Sequence, residues 1–303
     1  MKKLTGVILC ASILSACTIP TGDRDGAVDD DPPSQTTSTG ASAWVGGSTS
    51  RTPSPESPEL QRVADEIAAA AATDGQVGVA LADGHSVVES GEIAVGPAWS
   101  TVKVPVSMAV LYRGTATTET VDRAITVSDN AALDTLWSSL GGGADAAAAT
   151  EQILRKAGDD TTVPPEVTRP GFSAAGQTDW ALTDQARFAQ QMTCIPGAGA
   201  VLTAMNHVAD AQSYGLGRIP DLPFKGGWGP DEAGDYMVRQ FGVLQTPGGE
   251  VGIALAVQPE DGAYDTGRKM LDRMALTLET EIDAGVFTEA AECIPEPAGK
   301  ELG

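Results

Sequence analysis

The sequence predicts a single α+β domain, an α/β sandwich whose antiparallel sheet is built from N- and C-terminal segments around an inserted helical lobe. Three observations predict it. Short apolar runs at 76–82 and 85–90, joined by Asp83-Gly84, read as strands near the start of the chain. Runs at 222–226, 236–244 and 251–257 read as strands near its end, the last two facing each other across Pro247-Gly248-Gly249. Between the two groups the apolar spacing becomes helical. Strands from both ends flanking a helical block favour one sheet with helices packed on it.

The folded domain is expected over 59–303. It opens with a helix over 59–72, because Leu60, Val63, Ala64, Ile67 and Ala68 fall on one face. An apolar helix follows from Thr101 to Tyr112, with Pro105 tolerated in its opening turn. Helices come next at 131–140, stopped by Gly141-Gly142-Gly143, and at 144–157. Thr183 is the expected N-cap of a helix over 184–194, and 199–211 is another. A long helix over 263–285 closes the domain.

Composition narrows the function. The 303 residues carry 19 Lys+Arg against 41 Asp+Glu, a net charge of −22, which repels phosphate backbones and excludes a nucleic-acid partner. Two histidines, His85 and His207, are too few for a His-rich zinc site, and no G-x-S-x-G elbow is present. No metal or cofactor is called for. Apolar residues make up 42% and aromatics only 5%, so the core must come mainly from Ala, Val, Leu and Ile.

The basic start Met1-Lys2-Lys3 and the apolar run to Ala16 fit a signal peptide over 1–16, too short to span a bilayer. Leu14-Ser15-Ala16-Cys17 resembles the bacterial lipoprotein box. That resemblance implies cleavage before Cys17, lipidation of Cys17 and an extracytoplasmic protein tethered to the cell membrane. Cleavage removes Lys2 and Lys3 and leaves a charge of −24. Residues 17–58, rich in Pro, Ser, Thr, Gly and Asp, read as a disordered tether. Cys10 leaves with the signal, so Cys194 and Cys293 remain, either bridged in an oxidising compartment, the favoured reading, or as two buried thiols.

Three short motifs carry the chemistry: Ser100-Thr101-Val102-Lys103 at a helix start, Ser128-Asp129-Asn130 in the turn before a helix, and Lys225-Gly226-Gly227 on a short strand. Ser-x-x-Lys on a helix puts both side chains on one face. A serine hydroxyl becomes a nucleophile when a neighbouring base takes its proton, and lysine serves once burial or nearby positive charge depresses its pKa. Lys225 across the cleft would supply that charge and attract a substrate carboxylate. Ser128 could relay the proton to a leaving nitrogen, and Asn130 could fix Lys103 or hold a substrate amide. The backbone N–H groups of Ser100 and Trp228, the latter just past Gly227, would form the oxyanion hole. Taken singly each motif reads better as a helix cap or a surface lysine; together and in this order they point to an acyl-transfer site.

The motifs, their order and Lys225-Gly226-Gly227-Trp228 followed by two strands and a closing helix resemble the serine β-lactamase and penicillin-binding-protein superfamily, over about 59–285. The resemblance implies the β-lactamase/transpeptidase-like fold, Ser100 as acylated nucleophile, Lys103 as general base or relay, Ser128 as second relay and Lys225 as carboxylate holder. It implies β-lactams or D-alanine-terminated peptidoglycan peptides as substrates, bound by a monomer. Gly226 replaces the usual hydroxyl of the third motif, and 28 residues separate Ser100 from Ser128, so a small helical lobe and an open cleft are expected. Glu166, in Pro164-Pro165-Glu166-Val167-Thr168, is the candidate for the deacylating glutamate of class A enzymes, although its neighbours do not match. The alternative is a catalytically silent, wall-binding lipoprotein on the same fold, with an esterase as a further possibility.

Overall fold

The computed structural model describes residues 57–293. The expected signal segment, Cys17 and nearly all of the tether lie outside the described residues. Helix α1 (Pro58–Ala69) is capped by Ser57, whose Oγ accepts the Leu60 N–H at 3.4 Å, and it buries the five residues that its spacing predicts. Strands β1 (Gly75–Ala82) and β2 (Val87–Gly91) form a hairpin held by Asp83, whose carboxylate accepts the N–H groups of His85 and Ser86 at 2.9 and 2.7 Å. Strand β3 (Val95–Pro97) leads into a 3₁₀ turn at Trp99–Val102. Helices α2 (Lys103–Arg113), α3 (Thr118–Thr126), α4 (Asn130–Ser139) and α5 (Gly143–Lys156) follow. After β4 (Asp179–Ala181), which pairs with β3, come α6 (Leu182–Gln191) and α7 (Ala198–Met205). Strands β5 (Phe224–Pro230), β6 (Tyr236–Gln245) and β7 (Glu250–Pro259) and helix α8 (Tyr264–Asp283) end the domain.

The five-stranded sheet runs β2-β1-β7-β6-β5, antiparallel throughout, so the two ends of the domain meet where β1 pairs with β7, Val79 opposite Leu255. One face buries Val79, Leu81, Ile253 and Leu255 against α1 and α8. The other buries Ala80, Ala254, Ala256 and Phe241 against α6 and the helical lobe. Each fully buried aliphatic side chain stabilises the fold by about 1.5–3 kcal/mol. Small residues let α6 lie close on the sheet: a Cβ on Gly252 would sit 1.8 Å from the Ala186 carbonyl oxygen. Strand β5 is left as an edge facing the helical lobe.

The observed elements differ from the sequence-based expectations in definite places. Thr183 is not an N-cap; α6 begins at Leu182 with Ala181 in the cap position, because the β4 pairing carries extended backbone up to Ala181. Strand β5 runs four residues past 226, to Pro230, and the helix expected over 199–211 stops at Met205. Helix α3 has no apolar run to announce it: Thr-Glu-Thr-Val-Asp-Arg-Ala-Ile-Thr is rich in β-branched residues, and it is held by burying Val121, Ala124 and Ile125.

Cys194 and Cys293 form a disulfide, with a Cα–Cα distance of 5.8 Å and 99 residues between them in sequence. It fastens the segment after α8 to the end of α6. Replacing both cysteines by alanine should cost about 2–4 kcal/mol. Denaturant melts of the oxidised protein and the variant check this; equal midpoints would reject it.

Candidate active site

Ser100 stands in the 3₁₀ turn between β3 and α2, and Lys103 opens α2 one turn later. Lys103 is completely buried, and its Nζ lies 3.1 Å from Ser100 Oγ. The same nitrogen reaches the Ser128 carbonyl oxygen at 2.5 Å, Ser128 Oγ at 3.1 Å and Asn130 Oδ1 at 2.7 Å. Lys225, also completely buried, donates from Nζ to Ser128 Oγ at 3.0 Å and to the Gly226 carbonyl at 2.9 Å. The structure therefore brings Ser100, Lys103, Ser128, Asn130 and Lys225 into one hydrogen-bonded cluster.

Local backbone geometry makes this possible. Of the three non-glycine residues with positive φ among the described residues, two are in the cluster or beside it: Trp99 at 48° and Ser128 at 56°. Such conformations cost energy and persist where surrounding contacts enforce them. At Ser128 the left-handed turn aims both the carbonyl and the hydroxyl of one residue at Lys103. Asp129 fixes the turn as N-cap of α4, accepting the N–H groups of Ala131 and Ala132 at 2.8 and 3.1 Å and pairing with Arg123.

Proton counting sets what the amine can do. The Ser128 carbonyl and Asn130 Oδ1 can only accept, so they take two N–H bonds. In its neutral form the amine would have one lone pair left for a hydroxyl, and Ser100 Oγ is one of the two within reach.

Strand β5 closes the other side. A Cβ on Gly227 would fall 2.8 Å from Ser100 N and 2.9 Å from the Ala98 oxygen, so only glycine admits this approach of the strand to the turn that carries Ser100. Gly226 points away from that turn, with Gln240 and the Tyr214 hydroxyl at 3.7 Å from a Cβ built on it. Glu166 is exposed in the loop between α5 and β4, and no hydrogen bond or ion pair among the described residues includes it. A surface depression of about 600 Å³ lined by Arg218, Asp272, Arg273, Leu276 and Glu279 shares no residue with the cluster. Among the described residues no three His, Cys, Asp or Glu side chains gather as a metal site.

Sequence reasoning missed Arg239. It is completely buried and donates to the carbonyls of Gly96 at 2.7 Å, Pro97 at 3.1 Å and Trp180 at 3.2 Å, and to Gln185 Oε1 at 2.6 Å. Gln185 in turn donates to Thr101 Oγ1 at 3.1 Å. Burial pushes the guanidinium pKa down from its ordinary value to about 9, which leaves it charged at neutral pH. Its signal was an Arg-Gln pair inside an otherwise apolar strand.

No family model matches the chain, and no curated protein sequence matches it. Solved structures do. The TLA-3 extended-spectrum β-lactamase superposes with a TM-score of 0.61 at 14% identity, over 74% of this chain and 99% of that one. A β-lactamase from Chitinophaga pinensis DSM 2588 gives 0.58 at 17%, over 75% and 100%. A variant of PBP-A, solved as an acyl-enzyme complex with penicillin G, gives 0.57 at 18%, over 77% and 100%. The chain has the serine β-lactamase and penicillin-binding-protein fold. Within that fold the cluster around Ser100 draws on all three motifs read from the sequence.

Burial alone would raise the Asp129 carboxyl, but the Ala132 N–H, Arg123 and the Ala131 N–H outweigh it and hold its pKa below the ordinary value. The carboxylate therefore contributes stability above its unfolded pKa, and that contribution is lost as pH falls through the folded one. Asp129→Ala should cost about 1 kcal/mol at neutral pH. The difference from wild type should shrink towards about pH 3. Denaturant melts at both pH values check it, and a pH-independent difference would contradict it.

Proposed function

We propose that the protein is an exported, lipid-anchored serine acyl-enzyme acting at the cell wall on β-lactams or on peptidoglycan peptides ending in D-alanine. The observation that carries this reading is Lys103 Nζ, buried and within 3.1 Å of both Ser100 Oγ and Ser128 Oγ. Neutral Lys103 takes the Ser100 proton as Oγ attacks the substrate carbonyl carbon. The developing oxyanion accepts the N–H groups of Ser100 and Trp228. When the carbon–nitrogen bond breaks, the leaving nitrogen takes the Ser128 hydroxyl proton, and Lys103 returns a proton to Ser128. Lys225 keeps the Ser128 hydroxyl oriented and offers positive charge to a substrate carboxylate. In this reading Cys17 carries the anchor, and the Cys194–Cys293 bridge suits an oxidising compartment.

Glu166 stays the candidate for deacylation. Because it stands outside the hydrogen-bonded cluster, we expect a slow second step and a long-lived acyl-enzyme. A second reading, a silent wall-binding protein, is favoured by Gly226, which removes a hydroxyl that would hold the carboxylate.

Fluorescent penicillin should label the wild type covalently, Ser100→Ala should not be labelled, and Lys103→Ala should be labelled about a thousandfold more slowly. Labelling that survives Ser100→Ala would sink the assignment, and no adduct on wild type by intact-mass spectrometry would favour the silent reading.

A further inference from the structure

Strand β5 is the free edge along which a substrate would lie, and its usable length can be read from the ladder. The Val243 N–H donates to the Pro223 oxygen at 3.1 Å, which sets the phase of pairing with β6. In that phase the N–H and C=O groups of Lys225, Gly227 and Gly229 face β6, and those of Gly226, Trp228 and Pro230 face outwards. The Gly226 carbonyl is taken by Lys225 Nζ at 2.9 Å. Pro230 has no N–H, and its carbonyl accepts from Arg169 at 2.6 Å. The next carbonyl, that of Asp231, accepts the other arm of the same guanidinium at 2.9 Å. Between these two plugs only Trp228 presents both an outward N–H and an outward C=O.

The Arg169 plug is itself fastened. The Arg169 N–H donates to Gln177 Oε1 at 2.6 Å, and the guanidinium lies 4.4 Å over the Phe172 ring. Phe172 packs on Trp99 at 5.1 Å between ring centroids. The Trp99 ring fills the space over Gly229, where a Cβ would come within 2.7 Å of it. One continuous set of contacts thus joins the loop before β4, the end of β5 and the residue preceding the nucleophile.

We propose that Arg169 is a specificity-determining residue: the site takes acyl donors that present a single amide N–H to the Trp228 carbonyl, and it excludes donors whose acyl portion continues along β5, which narrows the two substrate classes above to β-lactams with a short acyl side and disfavours extended stem peptides. This rests on the acyl-enzyme reading, in which Lys225 draws the leaving-group carboxylate to one end of the strand. The acyl portion must then run from Trp228 towards Pro230, where neither a free N–H nor a free C=O remains to receive it. An extended peptide strand would lose both hydrogen bonds there and would have to displace a charge-assisted pair.

Acylation of the full chain should be followed by intact-mass spectrometry with two probes. Penicillin G has one amide on its acyl side; the acyl side of piperacillin continues through further amide and carbonyl groups. Wild type should react at least about tenfold faster with penicillin G than with piperacillin. Arg169→Ala should narrow that ratio by at least about fivefold, and Arg169→Lys, which keeps the charge but cannot bridge both carbonyls, should fall between. Equal rates with both probes on wild type would overturn the proposal while leaving the acyl-enzyme reading intact. An unchanged ratio in a folded Arg169→Ala or Arg169→Lys protein would do the same. No adduct with either probe would instead remove the acyl-enzyme reading, and this inference with it. The wild-type ratio needs no variant, so misfolding of Arg169→Ala would still leave a deciding result.

Discussion

Lys103 carries its amine into a place with no exposure to solvent, and an amine there has to be met by polar partners or it destabilises the fold. Four oxygens meet it, and two of them belong to Ser128. That single requirement explains why Ser128 holds a left-handed backbone, why Asp129 caps α4 at that point and why Asn130 turns back towards α2. The lobe of helices is accordingly organised around the contact between α2 and the turn before α4.

A second buried lysine across the same hydroxyl gives the site a local charge opposite to that of the whole molecule. The chain carries −22 overall, yet the two amines that converge on Ser128 are positive or poised to become so. Field lines in a low-dielectric cleft are set by the nearest charges, so the potential close to Ser128 follows these two amines more than the acidic surface. Around this centre the protein spends backbone strain at Trp99 and Ser128, and Arg239 answers from below by binding the carbonyls of Gly96 and Pro97. The turn that carries Ser100 is gripped from three sides: by Arg239, by the glycine approach of β5 and by the Phe172 contact with Trp99.

Much of this was legible in residues alone. The five apolar positions of α1 and the hairpin at Asp83-Gly84 follow from spacing and turn chemistry; the pairing of Cys194 with Cys293 was the favoured of two readings, and the meeting of Ser100, Lys103, Ser128 and Lys225 was an expectation of the family resemblance. Helix α3 was not legible, because its β-branched residues favour other conformations until Val121 and Ile125 are buried. The extension of β5 to Pro230 was hidden by its glycines, which carry no side-chain pattern. Arg239 looked like any charged residue until the fold surrounded it with carbonyls. Glu166 had a motif-like position in the loop, but the structure leaves it exposed and outside the cluster.

By itself the sequence determined which residues could do chemistry and in what order they occur, since Ser-x-x-Lys, Ser-Asp-Asn and Lys-Gly-Gly are local patterns of side-chain type. It also determined the periodicities that place them on a helix start, a turn and a strand. Only the tertiary structure decided that the two lysines share one hydroxyl, that Gly227 touches the nucleophile turn and that Arg169 caps the β5 edge. These are contacts between segments some tens of residues apart in sequence, and their distances depend on how the sheet and the lobe pack rather than on any local preference.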